Sequence, residues 1–222
     1  MITLTALAWV PPFAQGLVRD LRVRWALEEA GVPYGVRLLD AADQSNAEYR
    51  RLQPFGQVPA LCDGDIELFE SGAIVLHIGA RSEVLLPTDP DQRTRAVTWL
   101  LAALNTVEVP VQQLAAIDLF HATKEWSRQR RPEVEASVRN RLADVEAWLG
   151  DRDYLEQRFT AGDLMMTSVL RILRHTDIVD QTPNLAAYRA RCEARPAFQK
   201  ALADQMAAFA SAEAARQQRG AA

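Results

Sequence analysis

The sequence is poor in the residues that build redox and metal centres. Its 222 residues hold two cysteines and three histidines. Cys62 and Cys192 lie far apart and outside any Cys-x-x-Cys pair, so dithiol exchange is not expected and a reduced, cytosolic protein is the simplest reading. Both read as structural cysteines, Cys62 on a hairpin strand and Cys192 on a late helix. His77, His121 and His175 are scattered, and no metal site is expected from them. There is no basic excess: 25 basic against 29 acidic residues give a net charge of −4, which argues against nucleic acid as a partner. No run of about 18 apolar residues stands out, so no membrane span is expected. Met1-Ile2-Thr3-Leu4 leads straight into strand-like sequence, without the basic, apolar and small-residue segments of a secretory signal. Internal repeats are absent.

What remains is ordinary globular composition, 49% hydrophobic and 24% charged, divided into two unlike parts. Residues 1–82 alternate short strands and helices; residues 91–215 read as helical throughout. Ile2–Leu7 alternates as a strand. Trp9-Val10-Pro11-Pro12-Phe13 is neither helix nor central strand, because two prolines remove donors. Leu17–Ala30 follows as a helix, with Val23, Ala26, Leu27 and Ala30 on one stripe and Gly31 and Pro33 ending it. Tyr34–Leu39 reads as a second strand and Asn46–Leu52 as a short helix. Val58–Cys62 and Ile66–Phe69 form a hairpin across Asp63-Gly64, and Ser71 caps a helix running to Gly79. The pattern is βαβαββα, a four-stranded mixed sheet with one antiparallel edge. Beyond the Pro87-Thr88-Asp89-Pro90 linker, long helices are expected over Gln92–Ala122, bent near Pro110, and over Pro132–Leu149. Thr160 and Asp163 have capping-box spacing, with Phe159 and Leu164 placed as a hydrophobic staple. Helices over Asn184–Arg195 and Pro196–Ala210 complete the bundle.

Residues 57–71 carry the chemistry. A cis peptide before Pro59 would turn the Val58 N–H and C=O outward, where an extended peptide could pair as an added strand. At a helix start, the Ser71 hydroxyl and the free N–H groups favour an anion. Glu70 would balance a nearby ammonium. A zwitterionic amino-acid head group meets both demands.

Four segments in order make the chain resemble the cytosolic glutathione transferases over nearly its full length. They are Arg24-Trp25-Ala26-Leu27-Glu28-Glu29-Ala30-Gly31-Val32-Pro33-Tyr34, Pro54-Phe55-Gly56-Gln57-Val58-Pro59-Ala60-Leu61, Glu70-Ser71-Gly72-Ala73-Ile74 and Phe159-Thr160-Ala161-Gly162-Asp163. The resemblance implies a thioredoxin-like domain (1–82), an all-helical domain (91–215) and a homodimer. It also implies a cis Pro59, Val58 paired with the cysteinyl part of glutathione, and Glu70 and Ser71 holding the γ-glutamyl end, with Gln57 on the same ligand. The Thr160–Asp163 cap would serve folding.

The chain departs from that family where a Tyr, Ser or Cys usually meets the glutathione sulfur. Here Ala8–Val18 holds no hydroxyl and no thiol, and Val18 or Arg19 falls at the activating position. A free thiol with a pKa of about 8.5 is only slightly ionised at neutral pH, so something must stabilise the thiolate. Arg19, the first-turn N–H groups of the first helix and a loop N–H are candidates; Thr5 is a weaker one, set early on its strand. Trp9 and Phe13 are expected to line an apolar electrophile pocket, with Trp99, Phe120 and Trp126 read chiefly as packing. Arg128, Arg130 and Arg131 read as a solvated loop. Two functions remain: a transferase acting on an electrophilic carbon or a peroxide, or a binding module without turnover. A glutathione-dependent reductase or lyase is disfavoured by the lack of a site cysteine.

Overall fold

A computed structural model describes residues 1–220, which fall into two compact units. One contains Met1–Ser82 with the chain from Pro196 onward; the other contains Glu83–Arg195. From sequence the last helix is expected in the helical domain. It groups instead with the first unit, where it makes specific apolar and polar contacts with the first helix.

In the first unit the strands are β1 (Ile2–Leu7), β2 (Tyr34–Leu39), β3 (Ala60–Asp63) and β4 (Ile66–Phe69), in the order β2-β1-β3-β4. β1 and β2 run parallel, and β3 is antiparallel to both β1 and β4. The helices are α1 (Asp20–Ala30), α2 (Ala41–Ser45), α3 (Ala47–Leu52) and α4 (Ser71–Gly79). α1 starts at Asp20 rather than Leu17, because Pro12–Ala14 forms a 3-10 turn and the chain turns again before Val18. Its C-terminus matches the expectation: Gly31 adopts a left-handed conformation (φ 63°), and its N–H and that of Val32 bond back to Glu28 and Leu27. Eight consecutive α1 residues, Asp20–Leu27, are buried, so this helix is covered all round rather than amphipathic. The cover includes the last helix of the chain (Pro196–Gly220). Trp25 meets Phe198 edge-on with centroids 4.8 Å apart, and Lys200 pairs with Glu28 at 3.0 Å.

The second unit holds α5 (Pro90–Ala102), α6 (Glu108–Phe120), α7 (Glu125–Leu149), α8 (Ala161–Leu170) and α9 (Pro183–Glu193); the last helix of the chain is then α10. α5 and α6 are continuous through a π turn at Ala103–Val107. The irregularity precedes Pro110, whose ring has no N–H for the Thr106 carbonyl and would crowd it in regular α geometry; the wider turn relieves that conflict. This 31-residue run is long and apolar enough to cross a membrane by length and composition, contrary to the expectation from sequence. Ala96, Leu100, Ala103, Val107, Val111 and Leu114 turn its apolar face into the core of the unit. α7 begins at Glu125 and passes through Pro132. The basic run is thus helical, and Arg131 grips Asp118 at 2.7 and 3.0 Å and Glu135 at 2.5 Å. α8 is the buried centre of the unit. Leu164, Met165, Met166, Val169 and Leu170 are fully covered, each contributing about 1.5–3 kcal/mol. Gly162 lets α8 approach α5: a Cβ there would lie 2.6 Å from the Trp99 Cβ.

Candidate functional site

The register of the sheet decides which loops meet. Ala60 pairs with Phe69 and Leu4 with Leu61. These pairings set the entry to β3 beside the exit of β4 and beside the end of β1. One end of the sheet therefore collects the loop after Leu7, the segment Gln57–Pro59 and the pair Glu70-Ser71.

At the β3 entry the Val58–Pro59 peptide is cis. Gln57 is exposed, Val58 half-buried and Pro59 buried. The Gln57 carbonyl accepts a 2.6 Å hydrogen bond from the Tyr49 hydroxyl, and the Ala60 N–H donates to Thr5 Oγ1 at 2.7 Å. Among the described residues neither the N–H nor the C=O of Val58 has a hydrogen-bond partner. The ladder begins only at Ala60, two residues later than the strand expected from sequence; Pro59 has no N–H to donate to it.

At the helix entrance, Glu70 occupies the N-cap position and Ser71 the first helical turn, so Ser71 is not the cap that sequence suggested. Glu70 makes no side-chain cap bond and is exposed. Its backbone (φ 69°, ψ 115°) is the one non-glycine at positive φ among the described residues. Such a conformation costs about 1–3 kcal/mol and is held only where the surroundings impose it. Ser71 is 4% exposed, and its Oγ accepts from Arg22 Nη1 at 3.3 Å. Arg22 is itself buried on α1. Sequence reasoning missed it: the apolar stripe of the helix gives no signal for Arg22, and only the burial of α1 turns it inward. The same burial explains Asp20 and Arg24, joined at 2.8 Å, with Gln205 of α10 donating to Asp20 at 2.8 Å and to the Val18 carbonyl at 3.3 Å. Burial pushes the Asp20 carboxyl up, against the opposing pull of Arg24 and Gln205.

Arg19 stands at the N-cap position of α1, half-buried. Thr5 cannot serve a ligand sulfur, because it is buried and its hydroxyl is engaged by Ala60 and by Tyr49 at 3.0 Å. Trp9 lines a cavity of about 410 Å³ together with Leu7, Ala8, Leu39, Asp40 and Gln44. Phe13 is 42% exposed and does not line it. Within the second unit, Trp99 donates to Glu156 at 3.0 Å and packs on Trp148, while Phe120 and Trp126 are largely exposed. Burial pushes the Cys192 thiol up to about 12 and also raises that of half-buried Cys62, so neither is a ready nucleophile.

The site can hold an extended peptide by the Val58 main chain. It can also hold an anion at the Ser71 hydroxyl, the Arg22 cation and the start of α4, and a cation at Glu70. Residues 15–80 match the profile of the glutathione S-transferase N-terminal domain and residues 111–196 that of its C-terminal domain. A glutathione S-transferase of Hyoscyamus muticus is 28% identical over 180 residues, spanning 74% of this chain and 82% of that protein. Glutathione S-transferase PARB of Nicotiana tabacum is 30% identical over 167 residues, spanning 69% and 77%. A theta class glutathione S-transferase from Xanthomonas axonopodis pv. citri, solved with glutathione bound, superposes with a TM-score of 0.76 at 27% identity, covering 90% of this chain and 96% of that one.

Proposed function

Because the chain belongs to the glutathione S-transferase family, we propose that it binds glutathione at this end of the sheet and directs the thiolate at an electrophilic small molecule or a peroxide. The observation that carries the reading is the pairing of an unpartnered Val58 main chain with an uncapped helix entrance at one sheet end. Val58 takes the cysteinyl backbone as an added strand segment. Ser71, backed by Arg22 and the α4 dipole, takes the α-carboxylate, and Glu70 faces the ammonium. Gln57, exposed beside them, reaches the same ligand. Glutathione supplies the nucleophilic sulfur; the chain supplies its orientation and the field that keeps it ionised.

That field comes from Arg19 in this reading. Each unit by which a thiol pKa is lowered takes about 1.4 kcal/mol of preferential stabilisation of the thiolate, within reach of a cation at a helix start. The Trp9-lined cavity receives the apolar body of the electrophile, a largely apolar pocket with few polar anchors. We include a cytosolic setting and a homodimer in this reading; monomeric sedimentation at micromolar concentration would remove the latter.

Retention on immobilised glutathione and calorimetric binding test the shared pocket. Ser71→Ala should raise the glutathione Kd about tenfold, the size of a lost charge-assisted hydrogen bond. Unchanged affinity would refute the assignment of the carboxylate. A second reading is favoured by the loop Ala8–Val18, which offers no hydroxyl or thiol: the fold would then bind glutathione without turning it over. Conjugation of a chloronitroaromatic at neutral pH decides between them, with binding but no turnover of any electrophile supporting the module.

A further inference from the structure

Two buried hydroxyls outside the ligand-facing groups bracket the segment that the proposed site depends on. Thr5 comes from the middle of β1 and Tyr49 from α3, and each is only 2% exposed. The two outer hydrogen bonds each have a single possible donor. The Ala60 N–H donates to Thr5 Oγ1 at 2.7 Å, and the Tyr49 O–H donates to the Gln57 carbonyl at 2.6 Å. Tyr49 has spent its only proton, so in the 3.0 Å contact between the hydroxyls Thr5 O–H is the donor, and it shares that proton with the Ala60 carbonyl at 3.3 Å. The result is a one-way chain, Ala60 N–H to Thr5 to Tyr49 to Gln57 C=O, that ties the main chain just before Val58 to the main chain just after Pro59. Pro59 has no N–H, the Gln57 carbonyl and the Ala60 N–H are engaged by the protein, and the N–H and C=O of Val58 are left for a ligand. Hydrogen bonds aligned in this way polarise and stiffen one another.

We propose that Thr5 and Tyr49 are positioning residues for glutathione: their hydroxyl chain fixes the Gln57–Ala60 main chain so that Val58 presents both its polar groups to the peptide. The proposal rests on glutathione binding at this end of the sheet. Neither residue touches the ligand, so both act through Val58. Fixing the segment before the ligand arrives removes an ordering cost from binding.

The test compares glutathione affinity, by calorimetry, in the full-length wild type, Tyr49→Phe, Thr5→Val, their double variant and Thr5→Ser. Tyr49→Phe and Thr5→Val should each raise Kd at least fivefold. The double variant should be no more than twofold worse than the weaker single one, because either change breaks the same chain. Thr5→Ser, which restores the hydroxyl, should return Kd to within twofold of wild type. Tyr188→Phe provides the contrast: it removes a buried hydroxyl bonded to Asp163 in the other unit, and should lower the melting temperature without moving Kd. If wild type binds and both single hydroxyl variants stay within twofold of it, the positioning role is overturned while the site stands. If wild type does not bind at all, the glutathione site falls and takes this proposal with it. Where one variant fails to fold, the remaining comparison, Thr5→Val against Thr5→Ser or Tyr49→Phe against wild type, still separates a positioning role from a purely structural one.

Discussion

The starts of α4 and α8 use the same ingredients, an acid and a hydroxyl, to opposite ends. At α8, Thr160 and Asp163 close a capping box, and the Asp163 carboxylate takes bonds from Leu155 N–H and Thr160 N–H at 2.9 Å and from the Tyr188 hydroxyl at 3.0 Å. Asp163 is fully buried. At α4, Glu70 caps nothing, points to solvent and holds a strained backbone, and the Ser71 hydroxyl meets a buried cation instead of a helix N–H. A helix start whose donors are all satisfied from within is finished as structure. One whose donors are left open, at an energetic cost that the fold tolerates, has room for a partner.

Exchanging the properties of these two helix starts is the way to break the comparison. The largest effect belongs to Asp163→Ala, which removes the cap and strands buried N–H donors; unfolding free energy should fall by about 4 kcal/mol in a denaturant titration. Glutathione affinity of the folded fraction should stay within twofold, and a large loss of binding there would erase the division of roles. Next is a pH effect. Burial pushes the Asp163 carboxyl up to about 6 from an ordinary 3.8, outweighing the hydrogen bonds from Leu155, Thr160 and Tyr188. The folded state therefore holds a proton that the unfolded chain releases. This contribution is complete below about pH 4 and is lost as pH rises through about 6, a span of about 3 kcal/mol. Melting curves of wild type minus Asp163→Asn should show that slope between pH 4 and 6 and be flat above it. A flat difference throughout would mean the carboxyl titrates normally. The smallest effect is at α4. Glu70→Gly releases the positive-φ strain, so stability should hold or rise by about 1 kcal/mol while glutathione Kd increases several-fold. A stability loss would show that Glu70 supports the fold rather than the site.

The sequence was legible where a local rule sufficed. β1, β2 and β4, the Asp63-Gly64 turn, Gly31 as terminator and the Thr160–Asp163 box all follow from side-chain period, turn chemistry or capping, which act over a few residues. The segment Gln57–Ser71 was legible as a unit because its proline, turn and helix start are consecutive. It failed where burial overrides local preference. Arg22, Asp20 and Arg24 give no local signal of burial until α1 is enclosed by α4 and α10. Pro132 looks like a helix start until α7 is seen to run through it. Thr5 looked like a weak neighbour of the ligand sulfur, and its partner Tyr49 lies 44 residues away, beyond any local pattern.

The chain by itself determined where β1, β2 and β4 lie, where the hairpin gives the mixed sheet its antiparallel edge, and that a proline, a turn and a helix start follow one another over Gln57–Ser71, since each is set by near neighbours in sequence. Only the tertiary structure decided that Arg22 stands behind Ser71, that Thr5 and Tyr49 bond the main chain at Ala60 and Gln57, and that the last helix joins the first unit. Those facts depend on which distant side chains share a buried space, and in such a space a charge or hydroxyl must find a partner that no periodicity in the sequence identifies.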